Sequence, residues 1–258
     1  MAIELYNDGK HVCLMFTDLV DDEADHAIQA NQFLIVDNGH GCLIDPGGNM
    51  TYNALRMAMY EHFQASELDY VFASHADPDI VASVNKWLVH TDCKVAVSKI
   101  WSRFIPHFCT IGSTEGRIIP IPDPGMHFKL GASRIVAVPA HFLHSEGNFQ
   151  FYDSVSKILF TGDMGASLVA HEDAGKPIES LEKHVPYMKP FHQRYMCSQK
   201  IVRYWADMVR RLDVEWLVPQ HGSPIKGQKM IEEYLNWVVE IPCGVDIMTQ
   251  NNYQLPLK

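Results

Sequence analysis

Four apolar runs in this chain, DYVFA, RIVAV, KILF and WLV, each lead within a few residues into a loop that carries histidine or aspartate. SHADPDI brings His75, Asp77 and Asp79; PAHFLHSEG brings His141 and His144; TGDMG brings Asp163; PQHGSP brings His221. No other feature of the sequence narrows the fold as much. In layered α/β proteins, sites gather on such loops, because chain freedom there lets side chains converge.

Within SHADPDI the donors sit at alternate positions. Residues two apart on an extended segment point the same way, so His75, Asp77 and Asp79 can face one point just past a strand end. Pro78 holds Asp77 out of the helical region. From Asp79 onward the pattern DIVASVNKWLV turns helical, which leaves Asp79 an alternative role as a helix cap. Carboxylates crowded beside a histidine at an apolar strand end repel one another unless a cation lies between them. Taken singly, His141, His144 and His221 read as ordinary hydrogen-bonded histidines; together with the HxDxD element they read as metal ligands.

Strands are expected over residues 11–16, 32–36, 41–44, 70–73, 94–98, 117–121, 134–138, 149–152, 157–160 and 215–218, each short and bounded by turn formers. Helical patterns fall at 51–63, with Asn49 or Thr51 as cap, and at 79–89, 99–108, 197–211 and 227–239. In the 197–211 helix, Trp205 lies on the apolar stripe and reads as core. Strands and helices mix in both halves, which favours stacked sheets flanked by helices over a barrel. With no repeat or linker-like tract, residues 1–258 read as one domain. The net charge of −10 argues against a nucleic-acid partner. No apolar run is long enough for a bilayer, and the start lacks the layout of a signal peptide, so the expected location is cytoplasmic, with no membrane partner. The six cysteines are scattered without a CxxC pair and are expected to be reduced. The acidic stretch 18–26 lacks the spacing of a calcium loop and reads as solvated.

The order HxDxD, VPAHFLHSEG, TGD and PQHG, preceded by CLIDPGG, resembles the metallo-β-lactamase superfamily from about residue 32 to 225. The resemblance implies an αββα sandwich, with two mixed β-sheets flanked by helices and a dinuclear metal site at the edge between the sheets. It makes Asp45 the expected supporting carboxylate. Zinc hydrolases of the superfamily carry HxHxDH, whereas the flavodiiron branch carries HxExDH, with a carboxylate in the middle as here. LHSEGNFQFY and MKPFHQRYMCSQKIVRYWADMV also resemble that branch. Its flavodoxin domain has no counterpart before Lys258, so the chain looks like the stand-alone oxygen-binding diiron proteins, without flavin. Two departures stand out: Asp77 replaces the longer Glu, and Ile80 replaces a histidine, which implies an open position at one metal. His144 aligns with the flavodiiron ligand, and His141 is expected to line the pocket.

The ligand set implied is His75, Asp77 and His144 on one metal, Asp79 and His221 on the other, and Asp163 between them. Mixed oxygen and nitrogen donors without thiolate suit iron or manganese, although zinc also accepts carboxylates. Three carboxylates against two divalent ions leave about one positive charge, which a bridging oxide or hydroxide compensates on oxidation. Two ferrous ions would bind dioxygen, for oxygen sensing or, with an external electron donor, for reduction. The rival class is a dinuclear hydrolase acting on a phosphodiester, thioester or lactone through a metal-activated water, with a substrate wall built from 106–117 and 171–180. A third class is a module that docks on a signalling protein. A homodimer is left open.

Overall fold

In the computed structural model, which describes residues 2–20, 28–170 and 173–256, the β-branched and aromatic runs pair into two sheets. One contains seven strands in sequence order: β1 (Ala2–Asn7), β2 (His11–Phe16), β3 (Gln32–Asp37), β4 (His40–Ile44), β5 (Leu68–Phe72), β6 (Lys94–Ser98) and β7 (Ile118–Ile121). Neighbours are antiparallel from β1 to β4 and parallel from β4 to β7. The other sheet is built from β8 (Met126–Leu130), β9 (Ser133–Pro139), β10 (Phe149–Asp153), β11 (Ile158–Phe160), β12 (Trp216–Val218) and β13 (Ile225–Lys226). Its spatial order is β13-β12-β11-β10-β9-β8, with only β11 and β12 parallel.

Alternation along each strand divides the apolar side chains into layers. Cys13 and Met15 of β2 meet Phe33, Phe72, Phe151 and Phe160 between the sheets. Leu14 and Phe16 point the other way, toward α1 (Tyr52–Tyr60), α2 (Pro78–Val81) and α3 (Val84–His90), which contribute Leu55, Ile80 and Trp87. The outer face of the second sheet is covered by α5 (Leu181–Tyr195), α6 (Gln199–Val209) and α7 (Gln228–Val238), through Met188, Val202, Trp205 and Tyr234. A short α4 (Lys99–Ser102) joins β6 to β7. The result is the expected αββα sandwich, and Trp205 is core, its Nε1–H donating to Gln150 Oε1 at 2.8 Å.

Several local expectations change. The 79–89 helix is two helices, broken where Ser83 Oγ donates to the Gly47 carbonyl at 2.6 Å and accepts from Trp87 Nε1 at 3.1 Å. The 99–108 helix stops at Ser102 and resumes as a 3₁₀ turn, Ile105–Phe108, in which Pro106 lacks an N–H. Thr51 occupies the cap position of α1, but its hydroxyl donates back to the Gly48 carbonyl instead of capping. α5 was not expected; its two internal prolines, Pro186 and Pro190, disguise a helix that buries Met188 and His192. The edge strands β1, β8 and β13 were also missed. Most of the acidic stretch 18–26 lies outside the described residues. All six cysteines are free thiols, with Cys109 and Cys197 only partly buried.

Candidate metal centre

The ligand-bearing loops leave the C-terminal ends of β4, β5, β9, β11 and β12, which the two sheets place along one edge. Asp45 follows β4 in a left-handed conformation (φ 53°). Its Oδ1 accepts the Ser74 N–H at 2.8 Å and its Oδ2 lies 3.0 Å from Ser74 Oγ. Ser74 Oγ is in turn 2.9 Å from His75 Nδ1. With the hydroxyl donating to Asp45, its oxygen accepts the Nδ1–H, and the His75 Nε2 lone pair faces the site. Asp45 thus supports His75 through a serine that the sequence reading did not single out. Burial pushes the Asp45 carboxyl up to about 6, against the hydrogen bonds from Ser74.

Pro78 acts as anticipated: Asp77 is extended (φ −70°, ψ 148°), and α2 starts one residue later. That single kink sends two neighbouring carboxylates to different partners. Asp77 Oδ2 lies 3.3 Å from His144 Nε2 and 3.8 Å from His75 Nε2. Asp79, inside the first turn of α2 rather than capping it, places Oδ2 3.3 Å from His221 Nε2.

Asp163 lies between these two groups. Its Oδ2 is 2.8 Å from His144 Nε2 and 3.4 Å from His75 Nε2; its Oδ1 is 3.6 Å from His221 Nε2. The side chain is buried, and Oδ1 has no hydrogen-bond partner. His221 is oriented from behind, its Nδ1 donating to the Gln29 carbonyl at 2.8 Å. Gly222 has φ 81°, and a Cβ there would collide with the Ser167 carbonyl, so glycine is required beside this ligand. His75, Asp77, His144 and Asp163 each offer a ligand atom, all within 4.8 Å of one another, and Asp79 with His221 completes a second set.

Without a cation, the imidazoles must balance the carboxylates. Burial alone would lower the His144 pKa, but hydrogen bonds to Asp163 and Asp77 hold it at about 10. His221 is likewise depressed by burial yet raised to about 9 by Asp79 and Asp163. Burial pushes the Asp163 carboxyl up, and the surrounding imidazoles overcome this and hold it well below the usual carboxylate range. Three imidazoles, three carboxylates and an orphaned buried oxygen between two donor sets fit a pair of cations that prefer oxygen and nitrogen.

A cavity of about 470 Å³ opens onto this cluster, walled by Val20, Ile28, Ala30, Met50, Phe191 and Tyr195. His141 is elsewhere: its Nε2 meets the Asp123 carbonyl at 2.9 Å and its ring lines a separate depression, which corrects the expectation that it lines this pocket. Ile80 is fully buried in the layer beneath α1 and α3 and is not among the residues walling the cavity. The expected substrate wall is not there either. Arg117 donates to the backbone carbonyls of Leu88, Thr91 and Cys93, and neither 106–117 nor the described part of 171–180 borders the cavity; His171 and Glu172 lie outside the described residues. His192, also overlooked, lies behind Asp163. Burial lowers its pKa to about 4, so its neutral ring accepts the Gly165 N–H at Nε2 (3.0 Å) and donates from Nδ1 to Met188 (2.9 Å).

Two stacked sheets between helices, with carboxylate and imidazole loops at one edge, define the metallo-β-lactamase fold with a centre laid out for two ions. Within that class, the chain belongs to the ODP family of β-lactamase-like proteins, which it matches over residues 28–222. It is similar to a solved structure described as the peroxy diiron species of the chemotaxis sensor ODP, with 37% identity and a TM-score of 0.85 over 98% of this chain and 99% of that one. The apo state of the chemotaxis sensor ODP from T. denticola is 36% identical, with a TM-score of 0.86 over the same shares of the two chains. A flavo di-iron protein from Thermotoga maritima shares the fold at 20% identity and TM-score 0.73, over 92% of this chain and 61% of that one. Among curated proteins, no match was found.

Proposed function

We propose that this chain is a non-haem diiron protein that binds dioxygen at the Asp163-centred cluster and serves as an oxygen sensor, acting as one domain without a flavin of its own. One observation carries the reading: the two oxygens of a single buried carboxylate, Asp163, face separate histidine–carboxylate sets. His75, Asp77 and His144 would hold one ion, Asp79 and His221 the other, and Asp163 both. When bound, a pair of iron ions supplies the valence change that captures dioxygen; zinc at the same residues would supply none. The chain's own contribution is to set the charge of the shell and to shape access. Val20, Ile28, Met50 and Phe191 give the entry an apolar wall that favours a small uncharged ligand. Among the described residues, no Lys or Arg lines the cavity to neutralise a phosphodiester, which weighs against the phosphodiesterase form of the hydrolase reading. Repeated reduction of oxygen would require electrons from a separate donor, whereas sensing requires a signalling partner. No helix among the described residues is long and apolar enough to cross a membrane.

The test is anaerobic purification with iron, metal analysis, and admission of oxygen while the visible spectrum is recorded. The expected result is two irons per chain and a new charge-transfer band. Asp163→Ala should lose both ions, while Phe142→Ala, whose ring is largely outside the site, should keep them. Zinc or manganese occupancy with no oxygen response would favour the hydrolase.

A further inference from the structure

A second cluster of ligating atoms lies at the opposite end of the sandwich. β10 begins at Phe149, whose N–H donates to the Ser74 carbonyl beside the metal centre. It ends four residues later at Asp153, roughly 13 Å away along the strand. There, His11 and Cys13 lie two apart on β2, so both face the gap between the sheets. Asp37 is the cross-strand partner of His11 on β3, and Asp153 reaches them from the other sheet. All four are buried.

His11 Nε2 is 2.7 Å from Asp153 Oδ2, and Cys13 Sγ is 3.6 Å from His11 Nε2 and 3.4 Å from Asp153 Oδ2. Ser156 Oγ donates to the same Asp153 oxygen. We propose that His11 Nε2, Cys13 Sγ and Asp153 Oδ2 supply three donors of a buried site for a divalent ion of the Zn²⁺ type, which ties the two sheets together.

Three features support the assignment. First, tetrahedral zinc with sulfur at about 2.3 Å and nitrogen or oxygen at about 2.0–2.2 Å separates its donors by roughly 3.2–3.6 Å. Both sulfur distances match. The nitrogen–oxygen edge is shorter because, without an ion, the pair hydrogen-bonds directly, as His144 and Asp163 do at 2.8 Å in the other centre. Second, Asp37 Oδ1 is 3.0 Å from His11 Nδ1, and Asp37 Oδ2 is itself held by the N–H groups of Ala132 (2.6 Å) and Ser133 (3.0 Å). That carboxylate–histidine pair orients Nε2 toward the sulfur, the arrangement that supports metal-bound histidines. Third, the exchange balances. Empty, the cluster holds an imidazolium, two carboxylates and a neutral thiol. Uptake of one divalent ion releases the thiol proton and the Nε2 proton, so the buried net charge is unchanged. Burial raises the Cys13 thiol pKa well above its ordinary value, which keeps the proton in place until an ion displaces it. The thiol and the mixed donor set favour a borderline-soft ion here, unlike the sulfur-free cluster at the other end.

The experiment is a titration of the full-length, metal-free, reduced protein with Co²⁺, read by metal content and near-ultraviolet absorption. Only a sulfur ligand gives a thiolate-to-cobalt charge-transfer band, so the band reports this site separately from the Asp163 cluster. The expected result is a third ion per chain with that band. Asp163→Ala should keep the band while losing the other two ions, a test that leaves Cys13 untouched. Cys13→Ser should abolish the band, with far-ultraviolet circular dichroism confirming its fold, and Asp37→Asn should weaken the affinity about 10- to 100-fold. Saturation of the wild-type chain without the band would overturn the proposal and leave a buried imidazolium held by two aspartates. Persistence of the band in folded Cys13→Ser would overturn it as well, by assigning the sulfur to another cysteine.

Discussion

Ser74→Ala removes one hydroxyl and tests the link between Asp45 and His75. In the wild type that hydroxyl donates to Asp45 Oδ2 at 3.0 Å and accepts from His75 Nδ1 at 2.9 Å. The variant leaves a buried carboxylate oxygen unpartnered, which costs about 1–3 kcal/mol of folding stability. It also frees the His75 ring, and loss of an orienting partner of this kind typically weakens metal binding about 10- to 100-fold, equivalent to about 1.4–2.7 kcal/mol. The two costs are separable. Urea unfolding of the metal-free protein reads the first; Fe²⁺ titration against a competing chelator reads the second, and the loss should fall on the His75 ion rather than the His221 ion. Asp45→Asn perturbs the same chain of contacts, so the double variant should lose clearly less affinity than the two single losses added together. Additive losses, or a folded Ser74→Ala protein with wild-type iron affinity, would refute the link.

Gly222→Ala puts a side chain at φ 81° against the Ser167 carbonyl; it should cost at least about 1–2 kcal/mol and displace His221, and metal analysis should show the Asp79/His221 ion lost first. Ile80→His places an imidazole in a fully buried apolar layer, so it should destabilise the protein by about 2 kcal/mol or more without slowing oxygen binding by the folded fraction, as stopped-flow absorbance would show. Trp87→Ala empties a fully buried site between α3 and the first sheet and removes the bond to Ser83; urea unfolding should report a loss of about 3–5 kcal/mol. Removal of iron with a chelator should lower the unfolding free energy by about 2.7 kcal/mol for each ion lost, relative to protein in iron at 100 times its dissociation constant, and an unchanged thermal midpoint would argue against a high-affinity centre.

What could be read from the sequence, and what could not, follows from how far each interaction reaches. Most strands were legible because their signal is local: HVCLMF and QFLIVD are short apolar runs set between turn-forming and charged residues. Asp77 and Asp79 were legible as a pair because Pro78, between them, fixes the backbone. What spacing alone could not give, and only the family resemblance implied, is the split between them. Asp77 turns to His144 and Asp79 to His221 only because α2 begins at Pro78 and the β9 and β12 loops arrive from the other sheet. Ser74, Gln29 and His192 were missed for a related reason. Each acts through a partner brought close by the fold: Asp45, 29 residues from Ser74; His221, 192 residues from Gln29; and Gly165, 27 residues from His192. None belongs to a short pattern of its own. Ile80 holds the motif position where relatives carry a histidine, and the helical turn that starts at Pro78 directs its side chain into the core. Motif position identifies which residues lie near a site; the angle at which the chain leaves the strand decides which of them face it.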